Sequence, residues 1–235
     1  NPYPQTDFNS VNFVSNTTGY ICGALGTMLK TTDAGNSFQP QVTGISNSLN
    51  SLFFTTELNG FACGDKAQII YTSNGGINWS IKAQGLSSSS LRSITFINSI
   101  TGYSCGSKGL LVKTTNSGMN WSLLPQLTNL DLNSICFINE NKGFICADSG
   151  KIFVTSNGGI NWTAKNAGES HQNVECVEFV DSLKGFIGMS SLLSGSNTNL
   201  YKTTDGGATW QNVYLTIVVI SFTDIKFTNN LTGYV

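Results

Sequence analysis

The chain has 235 residues, of which 40% are hydrophobic and only 11% are charged, with 12 Lys and Arg against 13 Asp and Glu. This balance leaves no basic face for nucleic acid, while the hydrophobic share is enough for a sizeable core. The most apolar stretch, Val213 to Phe222, is about half the ~20 residues that a membrane-spanning helix needs. We therefore expect no nucleic-acid partner and no membrane insertion.

The first unit follows a lead-in that contains Pro2 and Pro4, which we expect to be extended. After it, short alternating apolar segments are separated by turn residues. The pattern predicts four strands, at residues 11–14, 19–23, 28–31 and 38–42. The first copy therefore reads as one small antiparallel sheet.

The same unit recurs along the whole chain. The glycines that open each second strand are separated by 41, 42, 41, 42 and 48 residues, and they are Gly19, Gly60, Gly102, Gly143, Gly185 and Gly233. Four short strands in about 42 residues is the period of a propeller blade. We predict an all-β fold, a β-propeller of four-stranded antiparallel blades in one domain, with five complete blades and a partial sixth.

The predicted blades lie near residues 8–48, 49–89, 90–130, 131–171, 172–220 and 221–235. Because the sixth unit stops in its second strand, we expect the sequence to be a fragment of a longer chain. The intact ring would then have six or seven blades. An unclosed ring would expose two sheet edges, so self-assembly is one expectation.

Each of the five complete units contains a turn motif, which reads Thr, any residue, Asp or Asn, any residue, Gly, two residues, then Trp or Phe. We expect the Asp or Asn side chain to bond its own backbone two residues on, the Gly to supply a positive φ, and the aromatic residue to anchor the fourth strand. These box residues are Asp33, Gly35 and Phe38; Asn74, Gly76 and Trp79; Asn116, Gly118 and Trp121; Asn157, Gly159 and Trp162; and Asp205, Gly207 and Trp210.

The six cysteines are predicted to be free thiols. Four of them share one repeat position in different units: Cys22, Cys63, Cys105 and Cys146. Equivalent positions lie on separate sheets, too far apart for the Cα separation that a disulfide tolerates. Cys136 and Cys176 lie on the first strands of different units. We interpret all six as apolar packing residues.

The fifth unit is longer than the others by an insertion of 7 residues within Met189 to Asn199, between its second and third strands. Insertions in repeat proteins usually collect on one face, often the binding face. In a propeller, the boxes and the first-to-second-strand turns share one face, and the second-to-third-strand loops and blade crossings share the other. We expect any ligand on that second face, where the candidate binding residues are Asp65, Lys66, Arg92, Lys108, Asp148, Lys151, His171, Asn197 and Asn199.

These motifs resemble the Asp-box (BNR) repeat propellers, in particular the photosystem II stability/assembly factor-like family of secreted bacterial proteins. The matching segments are Thr-Gly-Tyr or Lys-Gly-Phe at the start of the second strand, Lys-Thr-Thr-Asp-Gly-Gly-Ala-Thr-Trp at 202–210, and Asn-Pro-Tyr-Pro at 1–4. The resemblance implies that the boxes are structural. It also implies, for a photosystem-assembly role, a patch of arginines that this sequence lacks.

Related propellers include enzymes, and the sequence can be compared with the catalytic residues that each enzyme class requires. A sialidase needs three arginines to hold its substrate, and the only arginine here is Arg92. A xyloglucan-cleaving propeller needs two carboxylates across a cleft, for which Asp65 and Asp148 are the candidates. The only histidine is His171, so neither a His-based metal cluster nor a Ser/His/Asp triad is expected.

The sequence therefore favours a non-catalytic interaction or scaffold propeller with no metal and no cofactor. Its expected partner is a protein or a polysaccharide that polar side chains contact, and its expected location is secreted, periplasmic or attached to the cell surface. The alternative is a carbohydrate-active propeller, a glycoside hydrolase other than a sialidase, with catalytic carboxylates partly outside this chain.

Overall fold

The computed structural model describes residues 6–167, 171–191, 199–213, 222–227 and 232–234. The chain forms two compact units, Asn1–Gln126 and Leu127–Val235. Strands account for the regular structure, and the helical elements among the described residues are three single 3-10 turns. The all-β prediction is confirmed.

The first unit contains three four-stranded antiparallel sheets, each with its strands in chain order. Blade 1 consists of β1 (Phe8–Phe13), β2 (Gly19–Gly23), β3 (Met28–Thr31) and β4 (Gln39–Pro40). Blade 2 consists of β5 (Leu49–Phe54), β6 (Gly60–Gly64), β7 (Gln68–Thr72) and β8 (Ser80–Ala83). Blade 3 consists of β9 (Leu91–Phe96), β10 (Gly102–Gly106), β11 (Leu111–Thr114) and β12 (Ser122–Leu123). The 3-10 turns Ala24–Gly26, Asp65–Ala67 and Ser107–Gly109 join second and third strands.

The second unit contains two four-stranded antiparallel sheets and one two-stranded sheet. Blade 4 consists of β13 (Leu132–Phe137), β14 (Gly143–Ala147), β15 (Lys151–Thr155) and β16 (Thr163–Asn166). Blade 5 consists of β17 (Gln172–Phe179), β18 (Gly185–Ser191), β19 (Asn199–Thr203) and β20 (Gln211–Val213). The remaining strands are β21 (Lys226–Phe227) and β22 (Gly233–Tyr234). The five four-stranded sheets confirm the propeller blades, and the size of the intact ring stays a prediction.

Within blade 1 the second and third strands begin and end where the sequence predicts. The first strand is longer than predicted, at Phe8–Phe13, and the fourth is reduced to Gln39–Pro40. Proline has no backbone N–H and so limits the ladder at this edge. The proline-containing lead-in at residues 1–5 and most of the apolar stretch after Val213 lie outside the described residues.

In blades 1 to 4 the aromatic residue that follows the strand-two glycine is fully buried. These residues, Tyr20, Phe61, Tyr103 and Phe144, are the largest fully buried side chains among the described residues, whereas Phe186 of blade 5 is partly buried. Among the box aromatics only Trp121 is buried. The other box aromatic residues are partly buried, so the fully buried aromatic position of blades 1 to 4 is the one on the second strand.

These aromatic rings explain why the following box carries glycine. A Cβ added at Gly118 of blade 3 would lie 2.2 Å from Cε1 of Phe61 in blade 2, and one at Gly207 of blade 5 would lie 2.6 Å from Cε1 of Phe144 in blade 4. Both glycines also have positive φ, 75° and 79°. In blades 3 and 5 the box turn thus closes directly over the aromatic residue of the preceding blade.

The cysteines fill the core as thiols. All six are free, and the four at the shared repeat position are fully buried. Burial raises the pKa of the Cys63 thiol to about 12, because the thiolate would be desolvated. The prediction of unpaired packing residues is confirmed.

Candidate functional site

The first box turn is organised by a threonine and an aspartate. The hydroxyl of Thr31 donates to Asp33 Oδ1 over 2.7 Å and accepts from the backbone N–H of Gly35 over 2.9 Å. Oδ1 of Asp33 also accepts from the backbone N–H of Ser37 over 2.9 Å. The carboxylate therefore bonds the backbone four residues on, not two residues on as predicted, because the turn spans the whole motif.

The boxes that carry asparagine have the same geometry. Oδ1 of Asn74 accepts from Thr72 Oγ1 and from the backbone N–H of Asn78, each over 3.0 Å. An amide oxygen therefore replaces the carboxylate without changing the turn. Where aspartate is present, the side-chain hydrogen bond from Ser37 contributes most to lowering the pKa of Asp33 to about 2. The boxes are structural turns.

The box tips lie beside the first-to-second-strand turns of their own blades. In blade 1 the N–H of Ala34 donates to the carbonyl oxygen of Thr17 over 2.9 Å, and in blade 2 that of Gly75 donates to Leu58 over 2.9 Å. The same bond recurs in the other three blades, from Ser117 to Ile100, from Gly158 to Asn141 and from Gly206 to Leu183. The predicted pairing of these two connections at one end of each blade is confirmed.

In blades 1 to 4 the second-to-third-strand loops lie at the other end of their blades, beside the segment that enters the first strand. The N–H of Asp65 donates to Ser48 O over 3.0 Å, and that of Ser107 donates to Ser90 O over 2.9 Å. The same bond joins Ala24 to Asp7 and Asp148 to Asp131. These loops are therefore short, bonded to the blade and fixed in position.

Lysines stand at the tips of two of these loops. Lys66 and Lys108 both have φ of 57°, and both are exposed. Residues other than glycine rarely adopt this left-handed backbone conformation, so the hydrogen bonds around each loop must hold the lysine in it. Each loop therefore presents one cation at a defined place.

The two predicted carboxylate candidates both serve the fold. Oδ1 of Asp65 accepts from Ser90 Oγ over 2.7 Å, which ties the loop of blade 2 to the segment entering blade 3. Oδ1 of Asp148 accepts from Asn133 Nδ2 over 2.9 Å inside blade 4. The two residues belong to different compact units, and each is hydrogen-bonded within its own.

The remaining candidates are spread over several elements. Nζ of Lys151 donates to Asn166 Oδ1 over 2.6 Å across the β15–β16 pair. His171 is partly buried just before β17. Asn199 is the first residue of β19, opposite Met189. Asn197 and most of the predicted insertion, residues 192–198, lie outside the described residues.

The first strand of each of the five blades contains a β-bulge that was not predicted. The bulged residue is the second residue of the strand in blades 1 to 4 and the fourth in blade 5, and these residues are Asn9, Asn50, Arg92, Asn133 and Glu175. Nδ2 of Asn50 donates to Leu91 O in blade 3 over 2.8 Å, and Nδ2 of Asn133 donates to Val174 O in blade 5 over 3.1 Å. Bulges redirect side chains in this way. The sequence signal that could have indicated the bulge is the recurring pattern of an apolar residue followed by Asn and Ser.

Arg92 occupies the bulge position of blade 3, where blades 1 and 2 carry asparagine. It therefore lies at the end of the blade that bears the second-to-third-strand loops. With Lys66 and Lys108, it gives this end of the first unit three cationic residues.

A cavity of about 230 Å³ lies on blade 3. The second-to-third-strand loop, the crossing from blade 2 and the segment from β12 to Gln126 line it. Lys108 is the one predicted candidate among its lining residues. The cavity was not predicted, because its three walls are separated by many residues in sequence.

No group of three or more His, Cys, Asp or Glu that could hold a metal ion occurs among the described residues. A helix suited to crossing a membrane is not found in the same part of the chain.

Comparison with known proteins gives one family. A family model described as photosynthesis system II assembly factor YCF48 matches residues 42–177, more than half of the chain. No protein with a curated description matches the sequence.

Several solved structures are similar in fold. A structure of YCF48 bound to a D1 peptide has 19% identity and a TM-score of 0.56, over 97% of this chain and 89% of that one. YCF48 from Cyanidioschyzon merolae has 15% identity and a TM-score of 0.64, over 97% and 92%. The GH74 enzyme of Niastella koreensis has 13% identity and a TM-score of 0.71, over 87% of this chain but only 38% of the enzyme. At these identities the likeness is one of fold.

Proposed function

The chain belongs to the photosynthesis system II assembly factor YCF48 family, and from this premise we propose that it is a non-catalytic propeller that binds a polypeptide partner. The proposed binding surface is the end of the blades that bears the second-to-third-strand loops. A polypeptide ligand is supported by the solved complex of YCF48 with a D1 peptide. The loops of the first unit, with Lys66, Lys108 and the nearby Arg92, are the residues we assign to it.

The observation that carries the non-catalytic proposal is the state of the two candidate carboxylates. A glycoside hydrolase needs one carboxylic acid to protonate the leaving group and a second carboxylate facing it across the scissile bond. Asp65 accepts a hydrogen bond from Ser90, and Asp148 accepts one from Asn133. Both carboxylates therefore hold their own loops in place, and this structural role is the one we propose for them.

The loops have the properties of a binding surface. They are held by backbone bonds such as Ser107 N–H to Ser90 O, so little conformational entropy is lost when a ligand binds. Their lysines add cationic groups to a chain that is otherwise poor in charge. A partner segment with acidic residues is the complementary ligand.

The second candidate function is a carbohydrate-active propeller, which the similarity in fold to GH74 enzymes favours. It would need catalytic carboxylates other than Asp65 and Asp148. A propeller that binds a polysaccharide without hydrolysing it is intermediate between these two functions.

The low charge supports our further proposal that the protein works outside the cytoplasm, secreted, periplasmic or at the cell surface.

The proposal is tested by screening the protein against immobilised peptides and against plant, bacterial and host polysaccharides, with reducing ends measured in parallel. We expect peptide binding that the double variant Lys66→Glu/Lys108→Glu weakens. The control is Glu57→Lys, an exposed charge reversal in the turn at the other end of blade 2, which should leave binding unchanged. Release of reducing ends would contradict the non-catalytic proposal.

A further inference from the structure

We propose that the blade 3 cavity anchors one apolar side chain of an extended peptide, and that Lys108 pairs with an acidic residue beside that side chain. The inference rests on the proposed function and assigns it a ligand chemistry. The occupant is a segment of a partner protein, with an aliphatic or aromatic residue next to Asp or Glu.

The apolar part of the cavity is built from leucines of three segments. They are Leu86 of the crossing, Leu110 and Leu111 at the start of the third strand, and Leu123 and Leu124 of the outer segment. Leu110 and Leu111 are buried, at 8% and 1% exposure, and Leu86 packs against the core between blades 2 and 3. Leu123 is 51% exposed. An apolar side chain placed here would cover leucine surface that now faces water.

Hydrogen bonds hold the walls of the cavity in place. Nε2 of Gln126 donates to the carbonyl oxygen of Lys108 over 2.8 Å, which joins the outer segment to the loop. The N–H of Ser107 donates to Ser90 O over 2.9 Å, and the N–H of Ala67 donates to Ser89 O over 2.8 Å, which fix the crossing. The cavity is therefore formed before a ligand arrives, which lowers the entropic cost of binding.

The size of the cavity indicates a side chain and not a whole small molecule. Its volume is about 230 Å³, below the roughly 300–1,000 Å³ of sites that enclose drug-sized ligands. A single buried anchor residue surrounded by weaker contacts is the usual arrangement when a peptide is recognised.

The polar groups around the leucines indicate what lies beside the anchor. Ser87, Ser89 and Ser107 line the cavity and offer hydroxyls to a peptide backbone. Of the eleven lining residues, all of them in the described part of the chain, only Lys108 is charged. An acidic neighbour of the anchor residue is therefore favoured and a basic one is not.

The test is selection of random peptides from a phage-displayed library on the whole chain, followed by affinity measurements on the selected peptides. We expect them to share an apolar residue adjacent to Asp or Glu. Lys108→Glu should weaken their binding by about tenfold or more, as should Ser107→Phe, which fills the cavity while leaving the backbone bonds of the loop in place. Exchanging the acidic residue of the peptide for Lys should restore binding to Lys108→Glu.

Matched controls exist in neighbouring blades. Lys66→Glu changes the same loop position in blade 2, which belongs to the wider binding surface but not to the cavity lining, and it should weaken binding of the selected peptides less than Lys108→Glu does. Ala24→Phe adds the same bulk as Ser107→Phe at the corresponding position in blade 1, away from the cavity, and should bind the selected peptides like the wild type. If Lys66→Glu abolishes binding while Lys108→Glu and Ser107→Phe do not, the cavity assignment is overturned and the proposed function stands. If no peptide is selected, both are overturned.

Discussion

The hydroxyl of Tyr20 in blade 1 donates a hydrogen bond of 2.8 Å to the carbonyl oxygen of Gly75 in the box of blade 2. Nζ of Lys30 donates to the same oxygen over 2.8 Å and lies 5.4 Å from the centroid of the Tyr20 ring. Since Tyr20 is fully buried, this bond joins two sheets through a site that water does not reach. The box turn is therefore part of the contact between blades as well as a turn within one.

We expect Tyr20→Phe to destabilise the protein by about 1 kcal/mol, because it removes a buried hydrogen bond while Lys30 still satisfies the carbonyl oxygen. Urea denaturation measures the change. Tyr71→Phe is the control, since it removes a hydroxyl bond to Asn59 that is only partly buried and lies within one blade. A larger loss for Tyr71→Phe than for Tyr20→Phe would contradict the role assigned to the contact between blades.

Gly118→Ala should destabilise the fold by about 3 kcal/mol, from backbone strain and from overpacking against Phe61. The matched control is Gly85→Ala, because Gly85 has a similar φ of 70° but no atom within 4 Å of an added Cβ. That variant should lose only about 1 kcal/mol, the cost of the left-handed backbone. Equal losses in urea unfolding would show that packing against Phe61 is not what selects glycine.

The acid sensitivity of the fold should depend on its box aspartates. The pKa of Asp33 is lowered from 3.8 to about 2 in the folded chain, chiefly by the side-chain bond from Ser37. A lowered folded pKa adds stability that is present above pH 3.8 and is lost as the pH falls toward 2. The pKa of Asp205 is lowered in the same way, chiefly by Thr209.

The variant Asp33→Asn/Asp205→Asn should therefore lose less stability than the wild type as the pH falls from about 4 to about 2, while it keeps the turn geometry of the Asn74 box. The measurement is the free energy of unfolding as a function of pH. A wild-type curve no steeper than that of the variant in this range would refute the hydrogen bonds assigned to the carboxylates.

The buried cysteines should be inert in the native protein. The pKa of Cys63 is raised to about 12, and burial also raises the pKa values of Cys22 and Cys105. Thiolates react with disulfide reagents and thiols do not. We expect these cysteines to be labelled only after unfolding, as followed by mass spectrometry. Labelling of Cys63 in folded protein at neutral pH would contradict the packing described.

Variants of Asp65 distinguish a structural role of this carboxylate from a catalytic one. Asp65→Asn keeps an acceptor oxygen for Ser90, so we expect the stability and the peptide affinity of the wild type. Asp65→Ala leaves Ser90 without its partner and should cost about 1 kcal/mol in urea unfolding. A hydrolytic activity that disappears in Asp65→Asn would contradict this assignment.

The sequence predicted most of the fold because the repeat places the same residue types at the same spacing. The boxes, such as Thr203 to Trp210, and the strand-two glycines are local signals, so their strands could be placed before the sheets were seen. The sequence did not predict that β4 is only two residues long. The length of an edge strand depends on its hydrogen bonds with the neighbouring strand, which the local pattern does not show.

The candidate site was predicted only in part, for a similar reason. The placement of Lys66 and Lys108 at loop tips follows from the alternation of connections in a blade. The hydrogen bond from Ser90 to Asp65 could not be predicted in this way, because Ser90 belongs to the segment that enters the next blade. The cavity joins Leu86 to Leu123 through the folding of a whole blade, and no local pattern could have shown it.

The central claim is that the second-to-third-strand loops bind a polypeptide, and hydrogen–deuterium exchange with a selected peptide tests it most directly. The account predicts that the peptide slows exchange at the amides of residues 65–67 and 107–110, while the box hairpins at 72–79 and 114–121 exchange as in the free protein. Protection confined to the box hairpins would contradict it and would place the ligand at the opposite end of the blades.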